Sequence, residues 1–426
     1  MPTRYENKTI CVVGLGYIGL PTATAFASRR IRVLGVDVSQ RVVDTVNQGR
    51  IHIIEPDLDM LVQSVVSSGY LRASLKPEVS DVYLIAVPTP FKDDHQPDLS
   101  YIESAAKSIA PLLKSGDLVI LESTSPVGAT EQLSAWLAGF RSDLSFPHQR
   151  GEDSDVMVAH CPERVLPGKV VRELVENDRI IGGITPRCAE AAQALYKVFV
   201  TGSCVLTNAR TAEMCKLTEN AFRDVNIAFA NELSLICDRF GISVWELIRL
   251  ANLHPRVNIL QPGPGVGGHC IAVDPWFLVS SAPEQARLIR TAREVNDSKP
   301  EWVIAKVESA IGQILKDHPG REASSIRIVC FGLSFKPDID DIRESPAVGI
   351  VRALITRYPD QVAAVEPNLE GESLCVKGTT IPLLPYAGAT ASADVMVLLV
   401  DHKEFRTNVP ALQRGQRVVD TRGIWI

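Results

Sequence analysis

The nine cysteines of this 426-residue chain are odd in number and scattered, and no Cys-x-x-Cys pair occurs among them. The histidines show no zinc-ligand spacing either. A disulfide scaffold and a bound metal are therefore not expected, and reduced thiols in the cytoplasm fit better. A surplus of positive charge is missing as well. The net charge is −6, and no basic stripe or aromatic-interleaved Lys/Arg cluster occurs, which argues against a nucleic-acid partner. No apolar run is long enough to span a bilayer, so no membrane partner is expected. The nearest approach is residues 9–28, uncharged and preceded by Arg4 and Lys8, with the outline of a secretion signal. Gly14, Gly16, Gly19 and Pro21 interrupt it in a pattern with a better explanation.

What the chain does have is the composition of a globular protein, 46% hydrophobic and 22% charged, at a length that implies two or three domains. In the first half, "TICVVGLG", "IRVLGVD", "VYLIAVPTP" and "DLVILESTS" read as buried parallel strands. Helical patterns such as "GLPTATAFASRR" and "YIESAAKSIAPLL" lie between them. This alternation is that of a doubly wound α/β domain, Rossmann-like, placed at residues 1–206. A central helical domain follows at 207–300. Its main feature is "TAEMCKLTENAFRDVNIAFANELSLICDRF", thirty residues without Gly or Pro, ending at Gly241. Apolar over much of its circumference, that helix is expected to be buried between domains or subunits. A helix starting after Pro300 opens a second, smaller α/β domain at 301–426, with strands in "IRIVCFGLSF", "QVAAVEP", "ADVMVLLVD" and "QRVVDTRG". No short repeat is visible, although two α/β parts around a helical middle resemble a coarse duplication.

"VVGLGYIG" places Gly14, Gly16 and Gly19 as G-x-G-x-x-G between a strand and a helix. Such glycines make the tight turn, let backbone approach a pyrophosphate, and let helix pack on strand. The helix N-terminus, flanked by Tyr17 and Ile18, then faces the phosphates. Asp37 closes the next strand eighteen residues after Gly19. An acid there accepts ribose hydroxyls and repels a 2′-phosphate, so NAD is the expected cofactor. Thr89 and Thr124 fall at later strand ends, where such sheets bind ligands; turn capping is the plainer reading of both.

"GPGVGGHCIAVDP" sets Cys270 after four glycines. A glycine has no Cβ, so backbone or ligand can approach closely. A cysteine is most often a small buried filler, but the glycines and the polar neighbours His269 and Asp274 suit a thiol that meets a substrate. On the long helix Lys216, Asn220 and Arg223 share one face. On a helix this apolar, that polar stripe is expected to line a cleft.

Together these segments resemble the UDP-sugar 6-dehydrogenases, the UDP-glucose/UDP-N-acetylmannosamine dehydrogenase family. The likeness runs from "VVGLGYIGLP" through "ESTSPVGAT", "CPERVLPG", "KLTENAFRDVNIAFANEL", "GPGVGGHCIAVDP" and "FGLSFKPDIDDIRESP" to "VVDTRG", nearly the full chain. The resemblance implies an NAD domain, a central domain that dimerises through its helix, and a C-terminal UDP-binding domain. It implies a four-electron oxidation of a UDP-sugar at C6, consuming two NAD⁺. Carried over by position, Cys270 is the nucleophile, Lys216 and Asn220 hold the oxygen that becomes anionic, and Asp274 and Thr124 order water and proton transfers. Glu163 of "CPER" resembles the family's acid/base glutamate. Phe335, Lys336 and Arg422 resemble UDP-site contacts, and Arg343 a cofactor contact. Arg256 resembles the arginine that reaches a neighbouring subunit's substrate; Val165, His254 and Gly267 belong to the same substrate set.

The chemistry accounts for these residue types. Loss of one hydride from C6 leaves an aldehyde, and a thiolate adds to it to give a hemithioacetal from which a second hydride can leave. The thioester is then hydrolysed. A cation such as Lys216 beside the oxyanion contributes about 3–4 kcal/mol if it resembles other oxyanion donors. Arg164 after the glutamate and Arg223 on the helix resemble the branch that oxidises 2-acetamido sugars. Within it UDP-N-acetyl-D-mannosamine is implied ahead of UDP-N-acetyl-D-glucosamine and UDP-glucose, in bacterial surface polysaccharide synthesis. A 3-hydroxyacid dehydrogenase with a catalytic lysine on its central helix would need neither the cysteine nor a second nucleotide domain. A non-catalytic NAD-responsive protein would bind without turnover.

Overall fold

The structure, a computed structural model, describes residues 8–53, 55–92, 95–165, 168–268 and 270–425. The chain forms two compact units, Met1–Glu219 and Asn220–Ile426. Among the described residues no helix is long and apolar enough to cross a membrane.

The first unit is built on an eight-stranded sheet of β1 (Thr9–Val13), β2 (Arg32–Val36), β3 (Leu71–Ser74), β4 (Val82–Ile85), β5 (Leu118–Leu121), β6 (Met157–His160), β7 (Arg179–Gly183) and β8 (Cys204–Asn208), in the order 3-2-1-4-5-6-7-8. The apolar runs lie in the middle because both faces are covered. Ile10 and Val12 pack with Leu20 and Phe26 on one side, while Cys11 and Val13 pack with Ile102 and Leu133 on the other. The pairings from β3 to β6 are parallel, so the strands' C-terminal ends align at one edge. The direction reverses between β6 and β7, through Ala159–Gly183 and His160–Gly182.

The long helix spans Ala209–Phe240, two residues longer than the Gly- and Pro-free stretch that foretold it. A short helix, Val244–Ala251, starts where the Ser243 side chain accepts from the Glu246 amide. The helix that leads into the second sheet differs from the sequence reading. It runs unbroken from Arg287 to Asp317 with Pro300 inside it, where the sequence suggested a start after Pro300. Proline takes one donor from the helix, the one that would serve the Asn296 carbonyl. That carbonyl faces Gly265, where a Cβ would lie 3.4 Å from its oxygen.

In the second unit β9 (Ile328–Phe331), β10 (Val362–Val365), β13 (Val395–Leu398) and β14 (Arg417–Asp420) form a parallel sheet in the order 10-9-13-14. β11 (Ser373–Val376) and β12 (Thr379–Pro382) make a separate antiparallel pair. The coarse duplication holds in detail. Gly14 (φ +95°) donates its amide to Val36, and Gly332 (φ +93°) donates its amide to Val365, the same turn after the first strand of each sheet. One residue later, the Leu15 amide meets the carboxylate of Asp37, and the Leu333 amide meets that of Glu366.

Candidate active site

At the β1 turn the three glycines do three different things. A Cβ on Gly14 would sit 2.4 Å from the Ala86 oxygen, and one on Gly19 would sit 1.8 Å from the Gly14 oxygen. Both are required for the chain to pack on itself. A Cβ on Gly16 would meet nothing within 4 Å, so the open space there lies outside the fold. Tyr17 packs against the core beside the turn, and Ile18 precedes the Gly19–Ser28 helix. Asp37 is anchored by the Leu15 amide (3.1 Å) and the Ser39 amide (2.9 Å) and remains only partly buried. A turn with one unobstructed glycine, a helix N-terminus and a strand-end carboxylate fits NAD. Among the described residues no group of three or more metal-ligating side chains occurs.

Thr89 donates its hydroxyl to the Thr124 carbonyl at 2.7 Å and so fixes the strand-end loop that carries Thr124. A residue the sequence reading missed holds the other end of that loop. Glu213, buried on the long helix, accepts from the Gly128 amide (2.6 Å) and from the Thr130 amide (2.8 Å) and hydroxyl (2.6 Å). Burial pushes its carboxyl up, against these bonds.

Glu163 is buried. Its carboxylate accepts from the Arg164 amide at 2.7 Å and from the Arg179 guanidinium at 2.8 Å. Arg179, also unforeseen, stacks 4.7 Å from the centre of the Tyr196 ring. The Tyr196 hydroxyl in turn donates to Glu122 at 2.5 Å. Burial pushes the Glu122 carboxyl up to about 7, with Arg179 opposing and Glu163 adding to the rise. Arg164 pairs with Glu219 of the long helix at 2.8 Å and donates to the Asp178 carbonyl. Val165 packs half-buried at the edge of the core. Lys216 is half-buried on the long helix.

In the second unit Cys270 is exposed, and all nine cysteines are unlinked. Its carbonyl accepts from the Val273 and Asp274 amides at 3.0 and 2.8 Å, forming the turn that opens the Asp274–Ser281 helix. Asp274 is buried, and Asn220 donates its amide to the Asp274 carboxylate at 2.5 Å. The cysteine turn is thereby tied to the long helix. His269 lies outside the described residues.

The glycines before Cys270 are shaped by the chain itself. A Cβ on Gly267 would lie 2.5 Å from the Glu344 oxygen and 3.2 Å from Cβ of Phe335; one on Gly263 would lie 2.6 Å from the Arg422 guanidinium. Phe335, Gly267 and Arg422 are thus brought to one loop. Arg422 also donates to Asp401 (2.8 Å) and the Pro262 carbonyl (3.3 Å). A buried chain that the sequence did not reveal holds the same peptide: Asn231 accepts from the Gly263 amide, and Asn296 links Asn231 to the Arg293–Asp224 pair. Lys336, Arg223, His254 and Arg256 are exposed. Arg343 bonds Asp341 through two nitrogens, at 2.8 and 2.6 Å.

Fold and site define a dinucleotide-dependent oxidoreductase with a second nucleotide-type sheet. Three family models match in chain order: the UDP-glucose/GDP-mannose dehydrogenase family NAD binding domain at residues 8–200, its central domain at 210–298 and its UDP binding domain at 329–426. The chain is 65% identical to an NDP-N-acetyl-D-galactosaminuronic acid dehydrogenase of Ralstonia nicotianae, covering 99% of this chain and 97% of that one. It is 63% identical to a UDP-N-acetyl-D-mannosamine dehydrogenase of Yersinia pestis, covering 98% and 99%. Its fold matches that of the UDP-D-ManNAc dehydrogenase from Pyrococcus horikoshii with a TM-score of 0.85, at 39% identity and coverage of 98% and 96%. The chain belongs to the UDP-glucose/GDP-mannose dehydrogenase family, and it is an NAD-dependent dehydrogenase acting on a nucleotide sugar.

Proposed function

We propose that the protein oxidises UDP-N-acetyl-D-mannosamine at C6 to UDP-N-acetyl-D-mannosaminuronate through a thioester on Cys270. The observation that carries this reading is the bond from Asn220 to Asp274, whose amide closes the Cys270 turn. It ties the turn of an exposed thiol to Asn220 on the long helix. NAD⁺, when bound, accepts one hydride at each of the two oxidation steps, and Gly14, Gly16, Gly19 and Asp37 are the residues that hold it. Cys270 adds through sulfur to the C6 aldehyde, so the intermediate is retained as a tetrahedral adduct with a C–H bond to lose. Lys216 and Asn220 stabilise the oxygen as it gains charge. Water then cleaves the thioester, releasing the carboxylate and restoring the thiol, with Asp274, Thr124 and Glu163 ordering the water and its protons. In sum, one alcohol, one water and two NAD⁺ give one carboxylate, two NADH and three protons.

Phe335, Lys336 and Arg422 contact the UDP moiety, and Arg164 and Arg223 the acetamido sugar or diphosphate. Val165, His254, Arg256 and Gly267 complete the substrate set, and Arg343 meets the cofactor. The three-part division at 1–206, 207–300 and 301–426 follows the chemistry: cofactor, helix, nucleotide sugar. The enzyme works in the cytoplasm, as a dimer through its long helix, in making a surface polysaccharide. Dimerisation is supported by Phe222, Phe229 and Ile236, exposed at seven-residue intervals on that helix.

Incubated with NAD⁺ and UDP-N-acetylmannosamine, the protein should yield two NADH per uronate. One NADH with a released aldehyde would refute the thioester route. A second reading, oxidation of a nucleotide-linked N-acetylgalactosamine, is favoured by the 65% identity to the Ralstonia enzyme of that name. Parallel assays with the galacto, gluco and manno substrates decide between them.

A further inference from the structure

The counterpart of Asp37 in the second sheet has changed its task. Asp37 accepts from two backbone amides and stays partly exposed. Glu366, at the same point after β10, is fully buried, and its oxygens are saturated. Oε2 accepts from the Leu333 amide (2.6 Å), the Ser334 amide (3.1 Å) and His402 Nε2 (3.1 Å), and Oε1 from the amide and side chain of Asn368, both at 3.1 Å. No lone pair is left for a ribose.

His402 is 1% exposed and completes the arrangement from the far side. Its Nδ1 accepts from the Asp338 amide at 2.9 Å, so its proton is on Nε2 and points to Glu366. The Asp338 carboxylate accepts from the Lys403 amide at 2.8 Å, and the Ser334 hydroxyl donates to the Lys336 carbonyl at 2.7 Å. Residues 333–338, which carry Phe335 and Lys336, are therefore gripped at both ends by one carboxylate–imidazole pair. The rings of His402 and Phe405 meet nearly at right angles, 5.4 Å between centres.

We propose that Glu366 and His402 are positioning residues that hold the 333–338 loop in the shape that receives the UDP part of the substrate. The pair lies within the UDP binding domain, residues 329–426. The proposal rests on the reading of Phe335 and Lys336 as UDP contacts. A loop already ordered loses little freedom when the nucleotide binds, so the pair acts on affinity and not on the chemistry at C6.

The test is His402→Phe, which keeps the ring contact to Phe405 and removes both nitrogens, beside Glu366→Gln, which keeps the shape and removes the charge. UDP affinity by calorimetry and the KM for the sugar nucleotide should each weaken by about 10-fold, the size of a lost buried hydrogen bond. The KM for NAD⁺ and kcat at saturating sugar should change less than twofold. A purely structural role would instead lower the folded fraction and leave the ratio of the two KM values alone. Hydrogen exchange on the unaltered enzyme needs no variant: the amides of Leu333, Ser334 and Asp338 should be protected before UDP is added. Folded variants with unchanged UDP affinity, or unprotected amides in the UDP-free enzyme, would overturn the proposal. If the unaltered enzyme binds no UDP, it is the reading of Phe335 and Lys336 that fails.

Discussion

At the residue scale, the thiol and the lysine have separable effects. On the proposed route Cys270→Ser removes the nucleophile that forms the adduct for the second oxidation and the group that leaves on hydrolysis, so uronate formation should fall by about 10³-fold or more, measured by product analysis. On the same proposal Lys216→Met removes one oxyanion partner and should lower kcat about 10²–10³-fold with the fold intact. Glu122 makes a prediction about pH. Burial raises its carboxyl from 4.5 to about 7, so in that window the folded chain keeps a proton that the unfolded chain has lost. Its contribution to stability then falls as pH rises from 4.5 to 7, by up to about 3 kcal/mol. His160 works in the opposite sense: burial presses it from 6.5 down to about 3, so its contribution is lost as pH drops below 6.5. Glu122→Gln should therefore gain stability relative to the unaltered protein between pH 4 and pH 8, read from urea midpoints. A constant difference across that range would contradict the argument.

Elements set which glycines are spared for ligand and which serve packing. Gly16→Ala has open space and should fold normally while NAD⁺ affinity falls about 10-fold, because the methyl group takes the room of the pyrophosphate. Gly19→Ala drives a methyl into the Gly14 carbonyl and should lose about 1–3 kcal/mol or more of stability, since overpacking displaces both strand and helix. Thermal unfolding and cofactor titration of the two variants separate the roles. Equal effects on both measurements would show that the turn yields where its geometry says it cannot.

For the whole molecule, Phe222, Phe229 and Ile236 lie exposed at seven-residue spacing on the long helix, an apolar strip that water disfavours. Phe229→Glu places a charge in the middle of that strip. Light scattering should find the unaltered protein dimeric, as proposed, and the variant monomeric at the same concentration; a variant still dimeric would remove the helix from the interface. The two sheets show how one building plan diverges: the same glycine turn and the same amide-to-carboxylate bond recur, with an open acid in one and a sealed acid in the other.

The sequence by itself determined what depends on neighbours along the chain. The glycine turn with Asp37, the Gly- and Pro-free helix and the strands with continuous apolar runs are local or periodic, and each took the form its pattern implies. The short strands β3, β6, β7 and β8 carry weaker patterns, and their order and the reversal at β6 came only from the folded sheet. Pro300 misled because its lost hydrogen bond is a local penalty that packing elsewhere outweighs. The supports of the site were likewise out of reach. Asn220 meets Asp274 across 54 residues, Glu366 meets His402 across 36, and Arg179 meets Glu163 across 16. Each such pair exists because burial leaves a charge or amide that must find a partner, and which partner it finds is decided by chain closure over distances that no local period records.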